Sequence, residues 1–261
     1  MRLQTFNYHT HTYRCGHAVG NEEEYVQAAI KAGFKTLGFS EHMGFEGWDD
    51  PNERIFYNDL DKYLEDMYAL KAKYKDQINI RVGFESEYFE DSIEHLKKYR
   101  DKCDYMICGQ HALDRNNHYY DIPPYDEDKY IEIMAEQVCA GIHSGLFKYV
   151  AHPDYFMLSK CDFTKRKAAA IKKIAQCAKE SDVVLEINLK GPKYGGRDYE
   201  GKYSYYYPNY RVFEIIAEVG AKVVFGYDAH HPDALLQREI ETKVYEDIKD
   251  LNLNFVDDLI L

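Results

Sequence analysis

Asn7-Tyr8-His9-Thr10-His11 closes the first apolar run of the chain, and its reading decides the fold. A strand over 6–9 ends on two histidines two positions apart, and an extended backbone projects such a pair to one side. The same punctuation recurs downstream. Gly38-Phe39-Ser40-Glu41-His42 ends the run 36–40, Gly83-Phe84-Glu85 the run 78–85, and Cys108-Gly109-Gln110-His111 the run 105–109. Val150-Ala151-His152-Pro153-Asp154 ends the run 148–151, and Gly226-Tyr227-Asp228-Ala229-His230 the run 223–226. A further run, 183–187, carries Glu186 and Asn188 at its end. Between these runs lie longer stretches of helical pattern, among them 22–32, 59–75, 126–143, 165–180 and 210–219. Asn21 before Glu22-Glu23-Glu24 supplies an N-cap with acidic residues in the first turn, and Gly33 stands where a helix stops. Strand-helix repetition means a parallel sheet, and runs such as Val183-Val184-Leu185 suit strands buried on both faces. Seven such units, with no Gly-x-Gly-x-x-Gly after the first run, favour a closed barrel over an open nucleotide-binding sheet. No Pro/Gly/Ser-rich linker or internal repeat divides the sequence, so one α/β domain over 1–261 is expected. In a (β/α) barrel the C-terminal ends of the strands converge on one face, which gathers these histidines and carboxylates at a single place.

Composition removes several classes of function. The chain has 261 residues, and Lys+Arg 33 against Asp+Glu 45 leaves a net charge of −12 with histidines neutral. Such a surface repels nucleic acid and anionic membranes, and no basic cluster offers an exception. No apolar run reaches the roughly 18 residues of a membrane span, and the first residues lack a signal-peptide core. Six cysteines (Cys15, Cys103, Cys108, Cys139, Cys161 and Cys177) contain no Cys-x-x-Cys pair. They read as reduced thiols of a cytoplasmic protein, with Cys15 and Cys108 near the motifs as packing residues.

Neutral imidazole together with carboxylate suits zinc, iron or manganese, whereas magnesium prefers mostly oxygen. The seven candidate histidines (His9, His11, His17, His42, His111, His152 and His230) exceed what one ion can hold, so two or three divalent ions bridged by carboxylates are expected. A lone His-x-His is common by chance; repetition at strand end after strand end is not. His95, between Glu94 and Lys97, reads as part of a solvated helix face, and His118, His143 and His231 lack a strand-end context.

At these motifs the chain resembles the PHP (polymerase and histidinol phosphatase) superfamily, and within it the monofunctional histidinol-phosphatase branch. The resemblance rests on His9-Thr10-His11, Tyr13-Arg14-Cys15-Gly16-His17, Phe39-Ser40-Glu41-His42, Gly83-Phe84-Glu85, His111, His152-Pro153-Asp154 and Asp228-Ala229-His230. It implies a distorted (β/α)7 TIM-like barrel with a metal centre at the C-terminal end. By resemblance, His9, His11, Glu85 and Asp228 form one metal site. Glu85 then bridges to an ion on His111 and His152, and His17, His42 and His230 hold a third. His17 lies in a loop whose register cannot be read, and Glu41 stands as an alternative to its neighbour His42.

Two ions about 3.5–4 Å apart bridge and activate a water for attack on phosphorus, and a third offsets charge on the phosphoryl group. Asp154 or a metal-linked water then protonates the leaving group, unless Asp154 serves to orient a ligating histidine. Arg197, in the loop after 183–187, and Lys160 suit a phosphate clamp, the alternative being solvated loop cations. Glu186 and Asn188 face either the substrate's ammonium or imidazole or, for Glu186, the back of a ligand. The tyrosine-rich stretch 203–210 either walls the pocket or packs between barrel and helix. The resemblance names the substrate as L-histidinol phosphate, a small phosphomonoester, in histidine biosynthesis. The rivals are a related phosphoesterase for another small phosphate or a phosphotyrosyl peptide, and a nonenzymatic metal-binding module, which would have lost ligands. Oligomeric state is not legible.

Overall fold

The structure is a computed structural model and describes residues 3–115, 117–118, 127–199 and 201–258. Its framework is a parallel sheet of β1 (Phe6–Asn7), β2 (Thr36–His42), β3 (Asn79–Ser86), β4 (Tyr105–Cys108), β7 (Tyr149–Val150), β8 (Val184–Asn188), β11 (Lys222–Gly226) and β12 (Asn254–Phe255), hydrogen-bonded in that order. The sheet curls until β1 meets β11. Thr10 pairs with Ala229 in a parallel bridge, the His11 amide donating to the Ala229 carbonyl at 2.9 Å and the Ala229 amide to that of His9 at 3.2 Å. Side chains stitch the same seam lower down: the Tyr227 amide donates to Asn7 Oδ1 at 3.0 Å, and Gln4 Nε2 to the Phe225 carbonyl at 2.8 Å. The expected (β/α)7 barrel is therefore present, and β12 is an extra strand flanking β11.

The helices α1 (Glu22–Ala32), α2 (Leu60–Tyr74), α3 (Ile93–Arg100), α4 (Glu127–His143), α5 (Lys165–Glu180), α6 (Tyr210–Val219) and α7 (Glu239–Ile248) alternate with the barrel strands. Their stops are local chemistry. Asn21 and Glu24 close a capping box at the start of α1, and Gly33 ends it at φ 84°, a conformation that favours a residue without Cβ. Among the described residues no helix is long and apolar enough to cross a membrane.

Two hairpins interrupt the alternation, one after β4 and one after β8: β5 (Ala112–Asp114) with β6 (Asn117–His118), and β9 (Gly196–Tyr199) with β10 (Lys202–Tyr205). Part of the tyrosine-rich stretch is thus strand β10, and Tyr203 there is exposed. Along β4, Tyr105 and Ile107 face the barrel lumen while Met106 and Cys108 face the helices. The lumen is plugged by Phe6, Tyr8, Tyr105, Ile107, Tyr149, Val184 and Val224, with the Tyr105 hydroxyl donating to the Tyr8 carbonyl at 2.5 Å. On β8 the inward file changes from Val184 to Glu186 and Asn188, and on β11 from Val224 through Gly226 to Asp228. The plug is therefore the apolar floor of a buried polar centre.

Candidate metal centre

Glu85, at the end of β3 and 1% exposed, is the hub. Its Oε2 lies 3.0 Å from His9 Nε2, 3.2 Å from His11 Nε2 and 3.3 Å from His42 Nδ1. Its Oε1 lies 3.3 Å from His111 Nε2 and 3.0 Å from His152 Nε2, which are themselves 3.2 Å apart. Asp228 Oδ1 is 3.5 Å from Nε2 of both His9 and His11. Donor atoms of His9, His11 and Asp228 form one compact group, those of His17, His42 and His230 another, each within 4.8 Å of one another. All nine residues expected as ligands thus converge, His17 included: its loop brings Nε2 to 2.8 Å from His230 Nε2.

Backbone and small residues make room for this. His152 and Asp228, both non-glycine, sit at φ 25° and φ 45°, a strained region that bends each strand end inward. Gly109 lacks a side chain because a Cβ there would stand 2.0 Å from Glu85 Oε1, and at Gly226 it would stand 2.3 Å from Glu186 Oε1.

Outer contacts aim the imidazoles. His9 Nδ1 meets Glu186 Oε2 at 2.8 Å, and His111 Nδ1 meets Glu87 Oε1 at 3.2 Å. His17 Nδ1 points at the Asn52 carbonyl at 2.9 Å, and His230 Nδ1 at that of Asp228 at 2.9 Å. An N–H committed at Nδ1 leaves Nε2 as the lone-pair donor facing the centre. Asn188 donates through Nδ2 to Glu186 Oε1 at 2.9 Å and to Asp228 Oδ2 at 3.1 Å. Glu186 and Asn188 are wholly buried by these bonds, so the expected contact of either with a substrate gives way to the alternative, a carboxylate behind His9.

The electrostatics suit a divalent cation. Burial pushes the Glu85 carboxyl up, but the imidazoles of His9 and His111 outweigh it and hold it ionised, well below the usual range. Asp228 is likewise held low against burial, by Lys190 and His9. Burial keeps His11 and His42 neutral, and burial with Lys190 brings His230 down to about 4. His9 is pulled upward against burial by Glu186, Glu85 and Asp228, a local excess of negative charge. Both ring nitrogens of His11 and Glu85 Oε1 are buried without a hydrogen-bond partner among the described residues. Unpaired buried donors of this kind fit metal ligation, and these residues can bind divalent metal.

Other expected residues fall elsewhere. Glu41 turns away from the centre to accept from the Thr12 amide at 2.6 Å and hydroxyl at 2.5 Å, leaving His42 to face Glu85. Burial pushes Glu41 up to about 8. Arg197 gives its guanidinium to the carbonyls of Lys160 and Cys161 and to Asp162 Oδ1, at 3.0, 2.7 and 2.8 Å. Lys160 rests 5.7 Å from the Tyr206 ring. The Arg197 guanidinium is engaged by residues 160–162, and neither Arg197 nor Lys160 lines the cleft onto the histidines, which corrects the expected phosphate clamp. The wide groove beside Arg197, about 630 Å³ between 162–165, β9 and α6, holds no histidine. Asp154 is buried, its Oδ2 accepting from the Asn209 amide at 2.5 Å, while its Oδ1 is buried without a hydrogen-bond partner among the described residues. The bond through Oδ2 fastens the start of α6. His95 is not a solvated residue: it packs against Phe45, Tyr57 and Tyr99 and meets the Gly44 carbonyl at 2.9 Å.

A cleft opens onto the centre between His17, His42, Glu53, Arg54, His111, His152, Tyr155, Lys190 and Asp228. Glu53, Arg54, Tyr155 and Lys190 escaped the sequence reading. Lys190 follows β8 by two residues, so the strand-end rule would have found it; Glu53 and Arg54 sit in a long loop with no periodicity. Lys190 Nζ lies 3.1 Å from His230 Nδ1 and 3.4 Å from Asp228 Oδ1.

A sequence model of the PHP domain matches residues 7–190. A probable histidinol-phosphatase of Deinococcus radiodurans is 24% identical over 237 residues, 86% of this chain and 85% of that protein. Histidinol-phosphatase of Bacillus subtilis is 29% identical over 157 residues, 56% of this chain and 58% of that protein. The fold superposes on the crystal structure of histidinol phosphate phosphatase from Lactococcus lactis, complexed with zinc, L-histidinol and phosphate, with TM-score 0.71 and 17% identity over 98% of this chain and 96% of that one. With the family model spanning most of the chain and the barrel reproduced, this chain belongs to the PHP domain family.

Proposed function

We propose that the chain is a metal-dependent phosphomonoesterase that hydrolyses L-histidinol phosphate to L-histidinol and phosphate. One observation carries the reading: the two oxygens of Glu85 are divided between two sets of imidazoles, His9, His11 and His42 on one side and His111 and His152 on the other. A carboxylate shared in this way supports ions held side by side, and the cluster of His17, His42 and His230 supports a third. Zinc, manganese and iron all suit this donor set. Divalent ions held by these residues would supply a water activated for attack at neutral pH and charge neutralisation on the phosphoryl group.

The chain's own residues do the rest. Glu186, Glu87 and the Asn52 carbonyl orient the imidazoles, so little reorganisation is needed during turnover. Lys190 is the ammonium on the cleft wall and meets phosphoryl oxygens. Tyr155 stands over His111 and His152 at ring distances of 5.5 and 5.1 Å and walls the entrance. Glu53, half-buried on the rim, receives a cationic group of the substrate, the part expected from sequence of Glu186 and Asn188. The relatives named histidinol-phosphatase, and the similar fold holding L-histidinol and phosphate, support this substrate over other small phosphates.

Phosphate release from L-histidinol phosphate, p-nitrophenyl phosphate, a sugar phosphate and a phosphotyrosyl peptide tests the reading. The kcat/KM for L-histidinol phosphate is expected to lead by at least about 100-fold, a margin that even apolar pocket contacts provide and polar recognition exceeds. A comparable value for another member of the panel would overturn the substrate, and no release from any would overturn the activity.

A further inference from the structure

Trp48, Arg54, Glu87 and His111 form a continuous arm that joins the long loop between β2 and α2 to the metal centre. Arg54 is 3% exposed and Glu87 1% exposed. Arg54 Nη1 donates to Glu87 Oε2 at 3.1 Å and to the Met43 carbonyl at 3.0 Å, while Nη2 donates to Glu87 Oε1 at 3.2 Å. That same Oε1 meets His111 Nδ1 at 3.2 Å. The guanidinium carbon lies 3.7 Å from the centroid of Trp48, the single tryptophan of the chain. The Ile55 amide returns the loop to the ligand strand by donating to the His42 carbonyl at 3.1 Å.

A buried ion pair is a poor device for stability alone, because desolvation of both charges offsets their attraction. Its placement here has another use. We propose that Arg54 and Glu87 are positioning residues for His111: the forked guanidinium fixes the carboxylate, and the carboxylate fixes the proton of His111 on Nδ1, keeping Nε2 free for an ion shared with Glu85 and His152. The loop that carries Glu53 on the cleft rim is thereby fastened to the occupancy of one ion. The inference rests on the metal centre proposed above and is independent of the substrate. An amide at position 87 presents either an acceptor or a donor to Nδ1 and no longer enforces one tautomer. A lysine at position 54 keeps the charge but loses the fork.

Zinc titration of chelator-stripped protein, monitored by calorimetry and by Trp48 emission, tests this. In the parent, the equivalent bound by His111 is expected to change Trp48 emission, and His111→Ala to abolish that change. Glu87→Gln and Arg54→Met should weaken one equivalent by roughly 10- to 100-fold and leave the others as in the parent, with Arg54→Lys intermediate. Folded Glu87→Gln protein binding every equivalent like the parent would overturn the inference while leaving the metal centre standing. If Glu87→Gln does not fold, a parent titration with Trp48 silent throughout overturns it. A parent that binds no zinc overturns both.

Discussion

Glu85 can hold its position between five imidazoles only because each surrounding group is neutral, ionised or aimed as the centre requires. Replacing it by alanine removes the shared carboxylate, so Glu85→Ala should abolish turnover and lower bound metal, as should His9→Ala; elemental analysis beside a phosphate assay checks both. Lys190→Ala should chiefly raise KM. Arg197→Ala should leave KM close to that of the parent, because its guanidinium is spent on the Lys160 and Cys161 carbonyls. Asp154 gives a pH test. Burial raises its folded pKa to about 8, so the folded chain holds this proton more tightly than the unfolded chain does. Its contribution to stability is full below about pH 4 and is lost as pH rises towards 8, with a slope on the order of 1 kcal/mol per pH unit. Asp154→Asn, which keeps an acceptor for the Asn209 amide, should therefore gain on the parent between pH 5 and pH 8 in urea unfolding with chelator present. An unchanged difference between the two pH values would contradict it.

At the scale of elements, the ligands belong to strand ends, and that is why they were legible. His9 and His11, Glu85, His152, and Asp228 with His230 follow apolar runs whose alternation fixes which residues face inward. Gly109 and Gly226 give the same inference an element-level test. Each lies opposite a buried carboxylate, so Gly109→Ala should displace Glu85, and Gly226→Ala should displace Glu186. Both variants are expected to fold with reduced metal content, measured per chain, the first more severely because Glu85 is a ligand itself. What was not legible belongs to loops and hairpins. The position of Arg197 after β8 points to the centre, yet the hairpin of β9 and β10 places its guanidinium on 160–162. Arg54 and Trp48 lie where no period of 2 or 3.6 constrains direction, and only tertiary contacts reveal them.

For the whole molecule, a barrel of short strands encloses an apolar plug below and a pool of carboxylate and imidazole above. The sequence carried the barrel through its repeated strand-helix units. It did not carry β12, which adds no histidine or carboxylate to the strand ends that guided the reading. We propose that 1–261 behave as one domain: urea unfolding of the metal-loaded chain should then show one transition, and two resolved transitions would contradict it. Stripping the centre with a chelator should lower Tm, since ions bound only by the folded chain stabilise it by about 4 kcal/mol at 1,000 times their Kd.

The most direct test is the stoichiometry of zinc or manganese binding to stripped protein, measured by calorimetry on the parent and on Glu85→Ala. The centre described here predicts at least two equivalents on the parent and the loss of at least one when the shared carboxylate is removed. One equivalent or none on the parent, or an unchanged number in the variant, would contradict it.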